Sequence, residues 1–280
     1  STDLMGYASV TAGRQALDYG SGAIMSSNQW GADRETWDGF NIGLNLDMAD
    51  ITIGYGKVSN SVYDGQADDT STTTVDETVA AGNTNMWLNA AKGDGDWTAN
   101  LLYMSSSVGA GDATTKMGLD LGYAMMGGDL NLAVSYNTTS NGVATEDGDM
   151  TSIGATYSIN ESMTATGNMT QYGENGFDGG SASMGGYASS GSLGYLGADD
   201  QDMNFGITYN MGDFNLGATM HQITNDGTDV GDAEYTRDVT DISLGYTMSD
   251  NANLSISMAT DKVGDADDVN WMWITLNIRP

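Results

Sequence analysis

The chain has 280 residues, with 39 Gly, one Pro and no Cys. Its 38 acidic against 8 basic residues give a formal net charge of −30, which argues against nucleic acid or any other polyanion as a simple electrostatic partner. No stretch approaches the roughly eighteen consecutive apolar residues of a transmembrane helix, and the lack of Cys excludes disulfide, thiolate and cysteine–zinc chemistry. Ser1 opens the chain without a signal-peptide pattern, so a mature or trimmed protein is expected.

Taken in chain order, the residues predict strands near 4–14, 37–48, 51–63, 85–92, 96–107, 116–126, 129–138, 149–159, 163–172, 202–210, 214–223, 237–248, 252–262 and 269–279. Each is a segment in which apolar and small polar residues alternate. Examples are Phe40-Asn41-Ile42-Gly43-Leu44, Leu130-Asn131-Leu132-Ala133-Val134 and Met203-Asn204-Phe205-Gly206-Ile207. A period of two puts the apolar residues on one face of a strand. The other face is mostly Gly, Asn, Ser, Thr and Ala rather than Lys or Glu. That suits a narrow watery lumen, with the apolar face turned to lipid. The first strand is ambiguous, because Met5, Tyr7, Ser9 and Thr11 alternate with Gly6, Ala8, Val10 and Ala12. The last sends Met272, Ile274, Leu276 and Ile278 outward and Trp271 and Trp273 inward, where they narrow the mouth.

The connections alternate between tight and long. Tight ones fall at Ala49-Asp50, Lys92 to Asp96, Gly127 to Asp129, Asn160 to Ser162, Met211 to Asp213 and Ser249 to Asn251. Long ones fall at Gln15 to Thr36, Asp64 to Thr84, Val108 to Thr115, Thr138 to Gly148, Gly173 to Asp200, Thr224 to Thr236 and Val263 to Asp268. Alternation of this kind reads as an up-and-down barrel with short turns on one side of a membrane and loops on the other. Tyr123, Tyr157, Tyr209 and Tyr246 sit before tight turns, and Trp97 and Phe214 just after them, all on the apolar face. Together they make an interfacial girdle, with Tyr103 and Tyr136 belonging to a second one.

Ionisable residues are rare on the predicted inner face. The pore-lining candidates are Arg14, Asp47, Lys116, Asp120 and Asp241, with Trp271 and Trp273. Acids collect in the long connections instead. Asp68, Asp69, Asp76, Glu77, Asp226, Asp229 and Asp232 are candidates for an acidic vestibule that concentrates cations, a role compatible with plain solvation of the loops. The stretch Asp226 to Glu234 is rich in carboxylates but fits no calcium-loop spacing, so no metal and no cofactor is expected. His221, the sole histidine, lies at the top of a strand on the inner face. A lone rim histidine is weak support for hydrolysis, and no enzyme is expected. The low-complexity segment Gly173 to Asp200 is either a loop folded in to constrict a pore or a free extracellular loop.

The stretch Gly13-Arg14-Gln15-Ala16-Leu17-Asp18-Tyr19-Gly20, followed by Trp30, Arg34 and Trp37-Asp38-Gly39-Phe40, resembles the alginate-export family of outer-membrane porins. The resemblance covers about thirty residues. It implies a porin barrel. The family's arginine-rich pore is not matched by this acidic chain, so the resemblance does not imply alginate as solute.

The expectation is therefore one all-β domain over residues 1–280, a transmembrane antiparallel up-and-down β-barrel of about fourteen strands in a bacterial outer membrane. Its expected role is passive diffusion of small hydrophilic solutes or ions with a cation preference. Its expected surroundings are outer-membrane lipid and lipopolysaccharide, and alternation leaves a homotrimer open. The alternative is a plugged scaffold barrel serving as a surface protein or as part of a larger complex.

Overall fold

The computed structural model describes residues 2–4, 8–27, 36–58, 83–108, 113–142, 147–180, 195–227 and 234–278. A three-residue strand, β1 (Thr2–Leu4), pairs with β2 (Ala8–Gln15). There follow β3 (Trp37–Asn45), β4 (Asp50–Val58), β5 (Asn83–Asp94), β6 (Trp97–Val108), β7 (Thr114–Met125), β8 (Leu130–Ser140) and β9 (Gly148–Asn160). The rest are β10 (Met163–Tyr172), β11 (Gln201–Met211), β12 (Phe214–Asn225), β13 (Tyr235–Ser249), β14 (Ala252–Val263) and β15 (Val269–Ile278). All belong to one sheet whose neighbours follow chain order, the up-and-down arrangement that the tight turns dictate. Beyond the short β1, the fourteen strands β2–β15 are those expected from the alternation.

Two expected strands end elsewhere. The first, expected over 4–14, is described over 8–15, with residues 5–7 outside the described residues, and the second stops at Asn45; of the third, expected over 51–63, residues 59–63 lie outside the described residues. Residues 46–49 close a tight connection by reciprocal backbone hydrogen bonds between Leu46 and Ala49. Asp47 is therefore an exposed turn residue and not part of a wall, and its carbonyl accepts a 2.7 Å hydrogen bond from Lys92 Nζ.

The chain divides into two compact units. One comprises residues 1–121, 135–149 and 177–196, the other 122–134, 150–176 and 197–280. In the first, Phe40, Ile53, Tyr55, Met86, Leu88, Leu101 and Leu119 are 40–57% exposed, while Asn41, Asn85, Asn89, Ser135 and Asn137 are at most 8% exposed. A water-soluble fold does the reverse. Extended apolar surface of this kind needs another apolar phase against it, and a bilayer supplies one.

The second unit repeats the inversion. Ile153, Phe205, Leu216, Met220, Ile242, Met272 and Ile274 are exposed, and Asp200, Asp202, Asn225 and Asp261 are buried. The ladders explain why. In β12–β13, Phe214, Leu216 and Ala218 stand opposite Tyr246, Leu244 and Ile242, while Asn215, Gly217 and Thr219 stand opposite Gly245, Ser243 and Asp241. A slip of one residue would put every polar side chain into the apolar surface, so the register is strongly specified. The expected girdle residues Tyr123, Tyr157, Tyr209, Phe214 and Tyr246 all lie exposed on the apolar face of this unit, and Phe214 stacks on Tyr246 with centroids 4.8 Å apart. Trp97 has the same placement beside a tight turn of the first unit.

Candidate functional site

In the first unit the connection leaving β2 does not stay in solvent. Residues 17 and 23–27 are buried, and Met25 is fully so. The segment 16–27 forms a strap over the polar face. It is folded on itself by Tyr19 N donating to Met25 O (3.2 Å), and by Ser27, whose backbone N and Oγ donate to the Asp18 carboxylate at 2.7–2.9 Å. It is latched to the sheet where Ser21 N donates to Asp120 Oδ2 of β7 (3.0 Å) and Ser135 Oγ of β8 donates to Ser21 Oγ (3.1 Å). Tyr195 Oη donates to Ala23 O (2.7 Å), and Lys116 Nζ of β7 donates to Gly179 O (2.7 Å). The strap, Gly179 and Tyr195 thus meet on one wall of this unit.

Tyr19 stands against Trp87 of β5 and Thr52 of β4. Burial raises its phenol above the ordinary tyrosine value, outweighing the opposite pull of these two polar neighbours. Beneath it, Trp87 Nε1 donates to Asn41 Oδ1 (2.9 Å), Asn41 Nδ2 donates to Gln15 Oε1 (2.9 Å), and Trp37 packs edge-on to Trp87 at 5.5 Å. Gly54 lies directly under the Trp87 ring, where any Cβ would collide with it.

In the second unit the polar face of β11–β15 is arranged in rows set by the ladders. One row is Asn204, His221, Val239, Asp261 and Val269; the next is Gly206, Thr219, Asp241, Ala259 and Trp271; a third is Thr208, Gly217, Ser243, Ser257 and Trp273. Charges pair diagonally between rows. His221 Nδ1 lies 2.9 Å from Asp202 Oδ2, which also accepts from Asn204 Nδ2 at 2.9 Å. Arg237 donates to both oxygens of Asp261 at 2.9 and 2.6 Å, the planar fork that guanidinium and carboxylate favour. Deeper still, Asp200 is 2% exposed and accepts from Tyr235 Oη, Asn225 Nδ2 and Gly197 N.

Lys116, Asp120, Asp241, Trp271 and Trp273 stand on the polar face, as their parity predicts. Arg14 does not. It lies opposite Asp38, in parity with Ala12, Phe40 and Ile42, and the two form an exposed ion pair at 2.9 Å. Gln15, one residue on, is the residue that reaches Asn41. Of the proposed acidic vestibule, Asp226 is exposed; Asp68, Asp69, Asp76, Glu77, Asp229 and Asp232 lie outside the described residues. Among the described residues no group of three or more His, Asp or Glu is placed to hold a metal. Alternation alone passed over Asp18, Asp202, Arg237 and Asp261. The last three could have been found by extending the parity rule to the strand ends.

No family model and no curated protein matches the chain. Solved structures do. Pseudomonas aeruginosa OpdK with vanillate matches at TM-score 0.71 and 13% identity over 97% of this chain and 75% of that one. Acinetobacter baumannii OccAB4 matches at TM-score 0.71 and 12% identity, over 97% and 71%. Pseudomonas aeruginosa OccK11 (OpdR) gives 0.72 and 12%, over 97% and 77%. The fold is that of a transmembrane antiparallel up-and-down β-barrel. Such a barrel accounts for the exposed apolar face as the lipid side and for the polar face as the lumen side.

Proposed function

We propose that residues 1–280 form a single bacterial outer-membrane channel for passive diffusion of small hydrophilic solutes, with preference for cations. The fold likeness to Occ and Opd channels supports the channel class. The observation that carries the cation preference is the charge on the polar face. Asp18 and Asp120 sit at the strap, and Asp202, Asp241 and Asp261 on the β11–β15 wall; among the described residues they are opposed there by Lys116 and Arg237. Arg237 is already neutralised by Asp261. Carboxylates lining a passage between low-dielectric walls raise the local cation concentration and repel anions.

The mechanism is hydration and field rather than bond chemistry. Ser, Thr and Asn side chains substitute for part of a solute's water, and the sheet satisfies its own backbone groups against lipid. OpdK was crystallised with vanillate, a carboxylate; the acidic wall of this chain is ill suited to such an anion. The stretch resembling the alginate-export family does not supply an anion path either, since Arg14 is bound to Asp38 in parity with the lipid-facing residues. Lipid and lipopolysaccharide are the expected neighbours of the apolar face.

A planar bilayer with a salt gradient tests the reading. Open steps with a cation-selective reversal potential are expected, and an anion-selective potential would overturn the charge argument. One observation favours a second reading, the plugged scaffold: the strap buries Leu17, Ile24 and Met25 against the polar face. A correctly folded barrel that never conducts would establish that reading instead.

A further inference from the structure

The strap latch leaves two oxygens without a donor. Asp120 stands on the polar face of β7, and one of its carboxylate oxygens, Oδ2, accepts from Ser21 N at 3.0 Å. The other, Oδ1, is closed off from solvent and has no hydrogen-bond partner among the described residues. Asn100 of β6 repeats the condition. Its Nδ2 donates to Asn89 Oδ1 at 2.8 Å, and its own Oδ1 is likewise buried and unpartnered. Gly20 shows where the two side chains meet. A Cβ placed there would run into Asp120 Oδ2 and stand 2.9 Å from Asn100 Oδ1. The carboxylate and the amide oxygen therefore converge on one spot beneath the strap.

A buried acceptor left without a partner is costly, and a charged one more so. Two acceptors side by side, one of them anionic, call for positive charge between them. The cation of this strand, Lys116, stands four residues away, roughly 13 Å along β7, and gives its Nζ to Gly179 O. One carboxylate and one amide carbonyl are the oxygen ligands that a hard cation takes. Calcium accepts an irregular set of them and completes it with water, whereas magnesium demands a near-octahedral one. Only one of the two side chains is a carboxylate, so the place is no acidic cluster. We propose that Asp120 and Asn100 form a calcium site beneath the strap, and that calcium holds the strap down. The coupling follows from burial. With the strap lifted, water reaches both oxygens, and a single hydrated carboxylate holds calcium poorly. With the strap in place both are dry, Ser21 N fixes the carboxylate, and the ion meets two converging ligands in a low dielectric.

The test uses the full chain in detergent micelles. Chymotrypsin cleavage after Tyr19, which needs the strap to leave the wall, is followed by mass spectrometry. Calcium chloride is compared with sodium chloride at equal ionic strength. For a dissociation constant of about 1 mM, typical of the weaker oxygen sites, about 10 mM calcium should slow this cut about tenfold. Asn100→Ala and Asp120→Asn should each erase the calcium effect. Asn100→Asp adds a carboxylate and should enlarge it. Unaltered heat-shifted gel mobility controls for folding. Equal slowing in the wild type and in Asn100→Ala would overturn the site and assign the effect to calcium on the acidic loops. A smaller calcium effect in Asn100→Asp would also overturn it, as the mark of an Asn100 amide turned round to donate to Asp120. No calcium effect in the wild type would overturn it as well, and slowing at pH 5 in its place would assign a proton shared between the two oxygens. The readout is cleavage and not current, so the site stands or falls apart from the channel reading.

Discussion

Gly20→Val is the sharpest perturbation of the strap. Gly20 has φ +58°, and a Cβ there would collide with Asp120 Oδ2, the acceptor for Ser21 N. Holding valine in the left-handed region costs roughly 1–2 kcal/mol. Moving the carboxylate aside forfeits a hydrogen bond to a charged group, about 1.5–3 kcal/mol. The strands do not depend on this contact, so the loss falls on the strap alone. Whatever the strap's resting population away from the wall, it should rise by about two to three and a half orders of magnitude, at about 1.4 kcal/mol per tenfold. Thermolysin cleavage near Leu17 and Ile24 reads that population while opening is fast relative to cutting. In the bilayer, larger and longer conductance steps should accompany it. Asp120→Asn keeps an acceptor but loses its charge, and should show the same change at about a tenth of the size. Unchanged cleavage together with unchanged conductance in Gly20→Val would refute the idea that the Asp120 latch holds the strap over the pore wall.

Arg14→Ala removes one partner of a pair whose side chains are 65% and 44% exposed. No measurable change in urea unfolding or reversal potential is expected, because exposed pairs are screened by solvent. A loss of conductance or a selectivity change would place Arg14 in the pore after all. Arg237→Met strips both donors from Asp261, whose side chain is 9% exposed, and should destabilise the barrel by roughly 3 kcal/mol in urea unfolding. The same variant should move the reversal potential toward stronger cation selectivity, because one positive charge leaves the lumen face.

The strands were legible in the sequence because lipid makes the alternation strict: Met163–Tyr172 was expected as 163–172 and is found there. Parity then placed Lys116, Asp120, Asp241 and both tryptophans. It failed for Arg14 for a definite reason. The two faces of the first strand both carry small residues, so its own side chains do not choose a face. The choice comes from β3, where Phe40 and Ile42 are unambiguous and lie opposite Ala12 and Val10. Asp47 failed differently. Leu46 and Met48 prolong the alternation past the point where the backbone turns, and both are exposed whether in a strand or in a turn. Side-chain periodicity reports a face, not the end of a ladder.

The ion pairs and the strap mark two degrees of legibility. Asp202–His221 and Arg237–Asp261 span 19 and 24 residues, yet each pair joins strands linked by a hairpin. Once the tight turn puts Met211 opposite Phe214, Asn204 must face His221 and Asp202 must lie diagonal to it. The first pair was therefore available from turn length and parity alone; the second also needs the register shift between Thr247 and Ser249 beside the β13–β14 turn. The strap has no such rule. Its apolar residues Leu17, Ile24 and Met25 follow no period, and what fixes them is contact with strands far along the chain: Asp120 and Ser135 are 99 and 114 residues from Ser21. The mark it leaves in the sequence is chemical. Large apolar residues inside a connection otherwise made of Gly, Ser, Ala, Asp and one Tyr have no reason to stay in water. In a barrel whose outer face belongs to lipid, the remaining place to bury them is against the inner wall.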